Sequence, residues 1–323
     1  MKARWIIGGV LVAVVVLGTA AANLWMRGGK EAARLAEVER SSCLPPVADT
    51  DDPHAGMVWV PGGTFLMGDT YYPEEKPLRE VTVEGFWMDR TEVTNAEFAA
   101  FVEATGYVTV AERPVDTTTH PGLPDYMKKP GAVVFVMPND VSGTGDISQW
   151  WQYVPGANWR HPGGPGTSIE NREQFPVTAI AYEDAQAYAA WKGRALPGEA
   201  QWEWAARAAD PDAPASRAQP QEANTWQGIF PIINEADDGF VGIAPVGCFK
   251  PNAIGLYDMI GNLWEWTADA YEDAPGSRVI KGGSWLCAPS YCLRYRPGAR
   301  QPQEADLATT HLGFRTIVSG SVP

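Results

Sequence analysis

The chain has 323 residues, with 25 Lys+Arg against 39 Asp+Glu and a formal net charge of −14. That acidity excludes a nucleic-acid partner, which needs a Lys/Arg footprint for phosphate, and the 45 % hydrophobic content excludes a disordered polymer. The 14 Trp, 33 Gly and 27 Pro disfavour helix bundles and parallel βαβ sheets, because Gly and Pro interrupt regular elements while Trp supplies large buried area.

Lys2 and Arg4 precede an apolar run from Ile6 to Ala22. Positive residues before an apolar segment mark either a cleaved signal peptide or a retained membrane anchor over residues 1–26. Both readings export the rest of the chain. Residues 27–55 are polar, contain Pro45-Pro46, and read as a linker, partly helical around Lys30 to Arg40. Cys43 lies too far beyond the apolar run to be a lipoprotein cysteine. The globular domain is assigned to residues 56–323.

Met57-Val58-Trp59-Val60 alternates and stops at Pro61-Gly62-Gly63, a strand and a turn. Val81 to Val83 and Phe86 to Met88 predict further short strands. Thr94-Asn95-Ala96-Glu97 is a capping box that opens a helix carrying Phe98, Phe101 and Val102, with Gly106 as its C-cap. Helices are also predicted over Glu183 to Lys192 and over Glu199 to Ala208, the latter capped by Gly198. Pro114 to Pro176 reads as long irregular backbone, held in order by Trp150, Trp151, Tyr153 and Trp159. Arg278 to Lys281 alternates again before the turn at Gly282-Gly283. Trp202-Glu203-Trp204 and Trp264-Glu265-Trp266 echo each other, an echo too short to be a repeat.

The four His (His54, His120, His161 and His311) include no i, i+4 pair, so helical zinc sites and His-rich iron triads lack local support. Nucleophile-elbow and phosphate-cradling motifs are also missing. What remains is Cys287-Ala288-Pro289-Ser290-Tyr291-Cys292. Two thiols five residues apart can meet across one turn. Without further ligands they suit a soft, low-coordinate ion such as Cu(I); the alternative is a disulfide in an exported protein. Arg294, Tyr295, Arg296 and Arg300 follow. Arg beside cysteine favours the thiolate, and the plainer reading makes these residues surface ion pairs. Asn224, Asp238, Asp258, Asn262 and Glu265 form an oxygen-rich set in Gly-rich segments, either Ca²⁺ ligands or merely solvated loop residues.

Several segments together resemble the formylglycine-generating enzyme (sulfatase-modifying factor) family. They are Met57 to Gly68, Met88 to Asn95, Gly156 to Pro162, Leu196 to Glu203, Gly261 to Trp266, and Lys281-Gly282-Gly283-Ser284-Trp285 through Cys287 and Cys292 to Leu312-Gly313-Phe314-Arg315. The resemblance spans about residues 56–318. It implies an α+β, C-type-lectin-like fold with little regular secondary structure. It also implies an oxidase that uses O₂ to convert a cysteine in a Cys-x-Pro-x-Arg segment of an unfolded sulfatase to Cα-formylglycine. By similarity Cys287 and Cys292 hold Cu(I), the substrate cysteine joins as a third thiolate, hydrogen leaves its Cβ, and the thioaldehyde hydrolyses. Ser284 and Trp264 match residues beside the active site, while Arg300, Ser290 and His311 are placed with the substrate. His311 stands where animal enzymes carry Asn.

One implied Ca²⁺ site uses Asn224, the Thr225 carbonyl, Asp238 and the Phe240 carbonyl. The other uses Asp258, the Gly261 and Leu263 carbonyls, and Glu265. Pro297 and Thr316 occupy disulfide positions of the animal enzymes; Cys43 and Cys248 could pair with each other or stay free. The expected partner is a sulfatase polypeptide, with possible membrane attachment through the N-terminal segment and a monomeric state. The competing expectations are a non-catalytic lectin-like module that binds protein or peptide and, disfavoured by the His count, a non-haem iron oxidase on the same fold.

Overall fold

The fold was read from a computed structural model, which describes residues 43–45, 47, 51–118, 120–213, 216 and 218–320. The signal or anchor expected over residues 1–26 lies outside these residues, as does most of the expected linker. Among the described residues no helix is long and apolar enough to cross a membrane.

In chain order the elements are β1 (Met57–Val60), β2 (Gly63–Met67), β3 (Arg79–Val83), β4 (Phe86–Asp89), α1 (Asn95–Thr105), β5 (Gly131–Phe135), β6 (Trp151–Pro155), α2 (Tyr182–Trp191), α3 (Glu199–Ala206), β7 (Trp264–Ala270), β8 (Ser277–Lys281), β9 (Gln301–Glu304), β10 (Leu312–Gly313) and β11 (Ile317–Ser319). This is an α+β fold with little regular structure, as the sequence predicts. The strands form small sheets ordered β1-β4-β11 and β10-β7-β8-β9, plus the antiparallel pairs β2-β3 and β5-β6.

Helix α1 begins as its sequence dictates. The Glu97 N–H donates to Thr94 Oγ1 (3.3 Å) and the Thr94 N–H donates to Glu97 Oε2 (2.9 Å), closing the capping box. Gly106 ends the helix at φ 67°, a left-handed turn that glycine adopts without a Cβ penalty. Phe98, Phe101 and Val102 face inward and join Trp159, Tyr188, Trp264, Trp266, Phe314 and both Cys287 and Cys292 in one core cluster. Helix α3 ends at Ala206, two residues short of expectation, because Ala208 and Ala209 turn left-handed at φ 58° and 54°. Pro114 to Pro176 is less irregular than its composition suggests. It contains the β5-β6 hairpin, paired from Gly131↔Pro155 to Phe135↔Trp151, which delivers Trp150 and Trp151 to a second aromatic cluster.

Cys43 is disulfide-bonded to Cys248 (Cα–Cα 4.9 Å) and the Arg90 guanidinium donates to the Pro45 carbonyl (3.0 Å). The chain just before the first strand is therefore tied to the domain rather than free.

Candidate functional site

Strand β8 delivers Lys281 and then turns sharply through Gly282 and Gly283. Gly283 sits at φ 73°, where a Cβ would meet the Arg294 carbonyl at 3.0 Å, so the turn and the later Arg294 segment pack backbone to backbone. Ser284 follows, fully buried. Its carbonyl accepts from the Cys287 N–H (2.9 Å) and its Oγ accepts from the Leu286 N–H (3.3 Å). The Ala288 carbonyl accepts from both the Tyr291 N–H (3.1 Å) and the Cys292 N–H (2.8 Å). This single turn brings the two cysteines to the same side.

The two sulfurs lie 2.6 Å apart and both cysteines are free thiols, buried to 1 % and 7 % exposure. Burial pushes Cys287 well up. Cys292 is drawn down, first by the Cys287 S–H donating to it and then by Arg294 beside it. Cys292 is thus the readier thiolate of the pair. Two buried soft donors that converge in this way fit a low-coordinate thiophilic ion such as Cu(I).

The walls are aromatic. Tyr291 stacks on Phe230 (centroids 4.2 Å, 10°) and meets Trp150 edge-on, while Trp226 stacks on Trp285 and donates its backbone N–H to the Cys287 carbonyl (3.0 Å). Trp264 opens β7 within the cysteines' own cluster, and its N–H donates to the His311 carbonyl (2.9 Å). The His311 ring lies against Trp151 (4.6 Å) with Nδ1 held to Thr309 Oγ1 (2.9 Å); surrounding protein lowers its pKa to about 3, so the ring is neutral. Ser290 is exposed on the turn between the cysteines. Arg300 does not join this group through any described contact: its Nε lies 2.9 Å from Glu199 and its guanidinium covers Tyr271.

The arginines that follow the cysteines are not surface ion pairs. Arg296 is fully buried between Asp69 and Glu75. Arg294 pairs with Glu74 (2.5 Å) and lies over the Tyr72 ring (4.1 Å). Sequence reasoning missed this partner loop, residues 69–75. Its one visible signal is the aromatic and acidic run Tyr71-Tyr72-Pro73-Glu74-Glu75.

The oxygen-rich residues gather beside the thiol turn, with Asn262 joining them to it. The Asn262 N–H donates to the Asn224 carbonyl (2.8 Å), its carbonyl accepts from the Trp285 N–H (2.9 Å), and its side chain bonds Asn224, Ala244 and Glu92. Asp238 accepts from the Thr225 N–H (3.1 Å) and the Phe240 N–H (3.0 Å), which places the first calcium set together. Asp258, at φ 55°, accepts from the Gly247 N–H (2.6 Å).

Glu265 is different. Arg315 and the Trp202 indole (2.8 Å) fill its acceptor positions, so coordinating calcium would displace one of them. Glu92, Asp258 and Glu265 nonetheless place three buried carboxylates near the single guanidinium of Arg315, and burial raises Glu92 strongly and Asp258 to about 6. Carboxyls held toward the protonated form in this way would ionise against a bound divalent cation. No three His, Cys, Asp or Glu among the described residues converge to hold a metal by themselves, so backbone and amide oxygens would have to complete the shell.

A profile described as the sulfatase-modifying factor enzyme 1-like domain matches residues 45–319. The chain belongs to the sulfatase-modifying factor family. Within that family it is similar to the formylglycine-generating enzyme of Mycobacterium tuberculosis, at 48 % identity over 81 % of this chain and 97 % of the relative. It is also similar to the mouse protein named inactive C-alpha-formylglycine-generating enzyme 2, at 40 % identity over 83 % of this chain and 87 % of that one. The solved structure of PvdO from Pseudomonas aeruginosa shares the fold, with a TM-score of 0.55 at 24 % identity, covering 85 % of this chain and 99 % of that chain.

Proposed function

We propose that this chain is an oxidase that converts the cysteine of a Cys-x-Pro-x-Arg segment in an unfolded sulfatase to Cα-formylglycine. The observation that carries the reading is the buried pair of free thiols, Cys287 and Cys292. A module that only binds peptide has no use for it. The high identity to an enzyme bearing that name supports the same reaction.

Cys287 and Cys292 would hold copper(I), which supplies the activation of O₂ that oxidation of the substrate cysteine requires. The rest is done by the chain itself. The aromatic wall of Trp150, Trp226, Phe230 and Tyr291 keeps water from the sulfurs. Ser284 holds the turn, and Trp264 backs the thiols. Ser290, at the rim, and neutral His311 offer hydrogen bonds to a peptide. Calcium would brace the adjoining loops at the two oxygen-rich sets described above. The Cys43–Cys248 disulfide suits an oxidising compartment, which supports export; the protein acts as a monomer.

The test is direct. Purified protein, a Cys-x-Pro-x-Arg peptide, Cu(I), O₂ and a reductant should yield a peptide aldehyde by mass spectrometry, and Cys292→Ser should abolish it. A folded, copper-loaded protein that makes no aldehyde leaves the binding-module reading in its place.

A further inference from the structure

Exposed apolar side chains gather beside the thiol turn. Of the thirteen large apolar side chains exposed among the described residues, six lie on two segments that both pack on Phe230. Ile229, Ile233 and Val241 belong to the first segment, and Val136, Met137 and Ile147 to the second. Phe230 itself anchors the first segment, stacked on Tyr291 (4.2 Å, 10°) and edge-on to Trp150. Ile229 beside it stays 59 % exposed and Val241 60 % exposed, so neither is needed for that packing. The turn that presents them is built by the backbone. The N–H groups of Ile232 and Ile233 both donate to the Ile229 carbonyl (2.9 and 2.8 Å), and Asn234 Nδ2 donates to the Val241 carbonyl (3.1 Å). A lone exposed aliphatic is ordinary, whereas six around one aromatic anchor mark an interaction surface.

The surface is continuous with the thiol site. Tyr291 adjoins Cys292 in the chain, its ring lies on Phe230, and Phe230 adjoins Ile229. Ile229 is therefore within reach of about six extended residues from the sulfurs. The substrate of that site is an unfolded polypeptide, which exposes the Leu, Val and Phe side chains that a folded chain buries. We propose that the apolar surface around Phe230 is a second docking site for the unfolded sulfatase, taking an apolar stretch outside its Cys-x-Pro-x-Arg segment. This rests on the substrate reading above. Holding the chain there raises the local concentration of the motif cysteine at the thiol pair, and favours an unfolded chain over a folded one.

Two sets of peptides test the idea: one carries the Cys-x-Pro-x-Arg motif alone, the other adds a Leu- and Val-rich extension on each side in turn. The native chain should show a KM roughly tenfold lower for an extended peptide at equal kcat, the scale of burying one or two aliphatic side chains. Ile229→Ser combined with Ile233→Ser should remove most of that advantage and leave kcat and the short peptide unchanged. Met137→Ser, on the facing segment, should remove part of it, and stays informative if the double variant fails to fold.

Equal KM for short and extended peptides overturns the inference while the oxidase stands. So does an advantage that survives the double variant with its thermal melt intact. A native dimer and a monomeric double variant in light scattering, with the KM advantage kept, assign the surface to a second copy of the chain instead. Peptides with Ser in place of the motif Cys, followed by fluorescence anisotropy, read docking without turnover. Tighter binding of the extended Ser peptide by a chain that makes no aldehyde sinks the oxidase and leaves the docking site.

Discussion

Buried charge is handled residue by residue in this protein. Lys281, Arg296 and Arg315 are fully buried, and each meets carboxylates: Glu203 and Glu199, Asp69 and Glu75, and Glu265. Removing one member of such a pair strands the other, at a cost of roughly 3–5 kcal/mol. Asp184 is a buried carboxylate with no ion-pair partner in direct contact among the described residues. It accepts from the N–H groups of Ala181 and Val110 (2.9 Å each) and from the Tyr107 hydroxyl (3.1 Å), yet burial still raises its pKa to about 6. A carboxyl whose folded pKa lies above its unfolded value near 3.8 binds more protons when folded. Its contribution to stability is therefore fully present below about pH 4 and declines as pH rises through 6. Asp184→Asn removes that slope. The gap in thermal midpoint between native and variant should be widest at pH 4 and narrow toward pH 7; a gap that widens with pH contradicts this assignment.

Among the elements, α1 was legible almost to the residue, because caps and spacing are local signals. Thr94→Ala removes the Oγ that accepts from the Glu97 N–H, and should cost about 1 kcal/mol in denaturant unfolding. Gly106→Ala places a Cβ at a left-handed position and should cost a similar amount, about 1 kcal/mol, although nothing lies within 4 Å to clash with it. Loss in the first without loss in the second would mean that steric freedom, not φ, governs the C-cap. The β5-β6 hairpin was not legible. Its strands lie in a stretch whose Gly, Pro and Asn content resembles loop, and only pairing across fifteen intervening residues turns Val133, Val134 and Tyr153 into a ladder. The end of α3 was overestimated for a related reason: Ala208 favours helix by propensity, and tertiary packing turned it left-handed.

On the scale of the whole molecule, contacts between distant segments complete both candidate centres. Glu74 reaches Arg294 across 220 positions, and Cys43 meets Cys248 across 205. The disulfide closes a loop around most of the domain and ties the segment before β1 beside Gly247, whose N–H donates to Asp258. Replacing both Cys43 and Cys248 by Ser should lower unfolding stability by roughly 2–4 kcal/mol, read from the denaturant midpoint. An unchanged midpoint would show that the N-terminal segment is held well enough by its other contacts.

By itself the sequence pointed to a loop-rich domain, marked helix α1 and singled out the pair of cysteines, while the class of fold came from its family resemblance. The first three follow from composition, caps and short spacings, where each residue acts on neighbours within a turn or two. The tertiary structure decided that the two thiols are free and buried together, and that Cys43 pairs with Cys248. It also placed Arg294 inward against Glu74 rather than on the surface, and gave the oxygens of Glu265 to Arg315 and Trp202. Burial and long-range electrostatic pairing depend on which distant segments the fold brings together, and no local pattern encodes that.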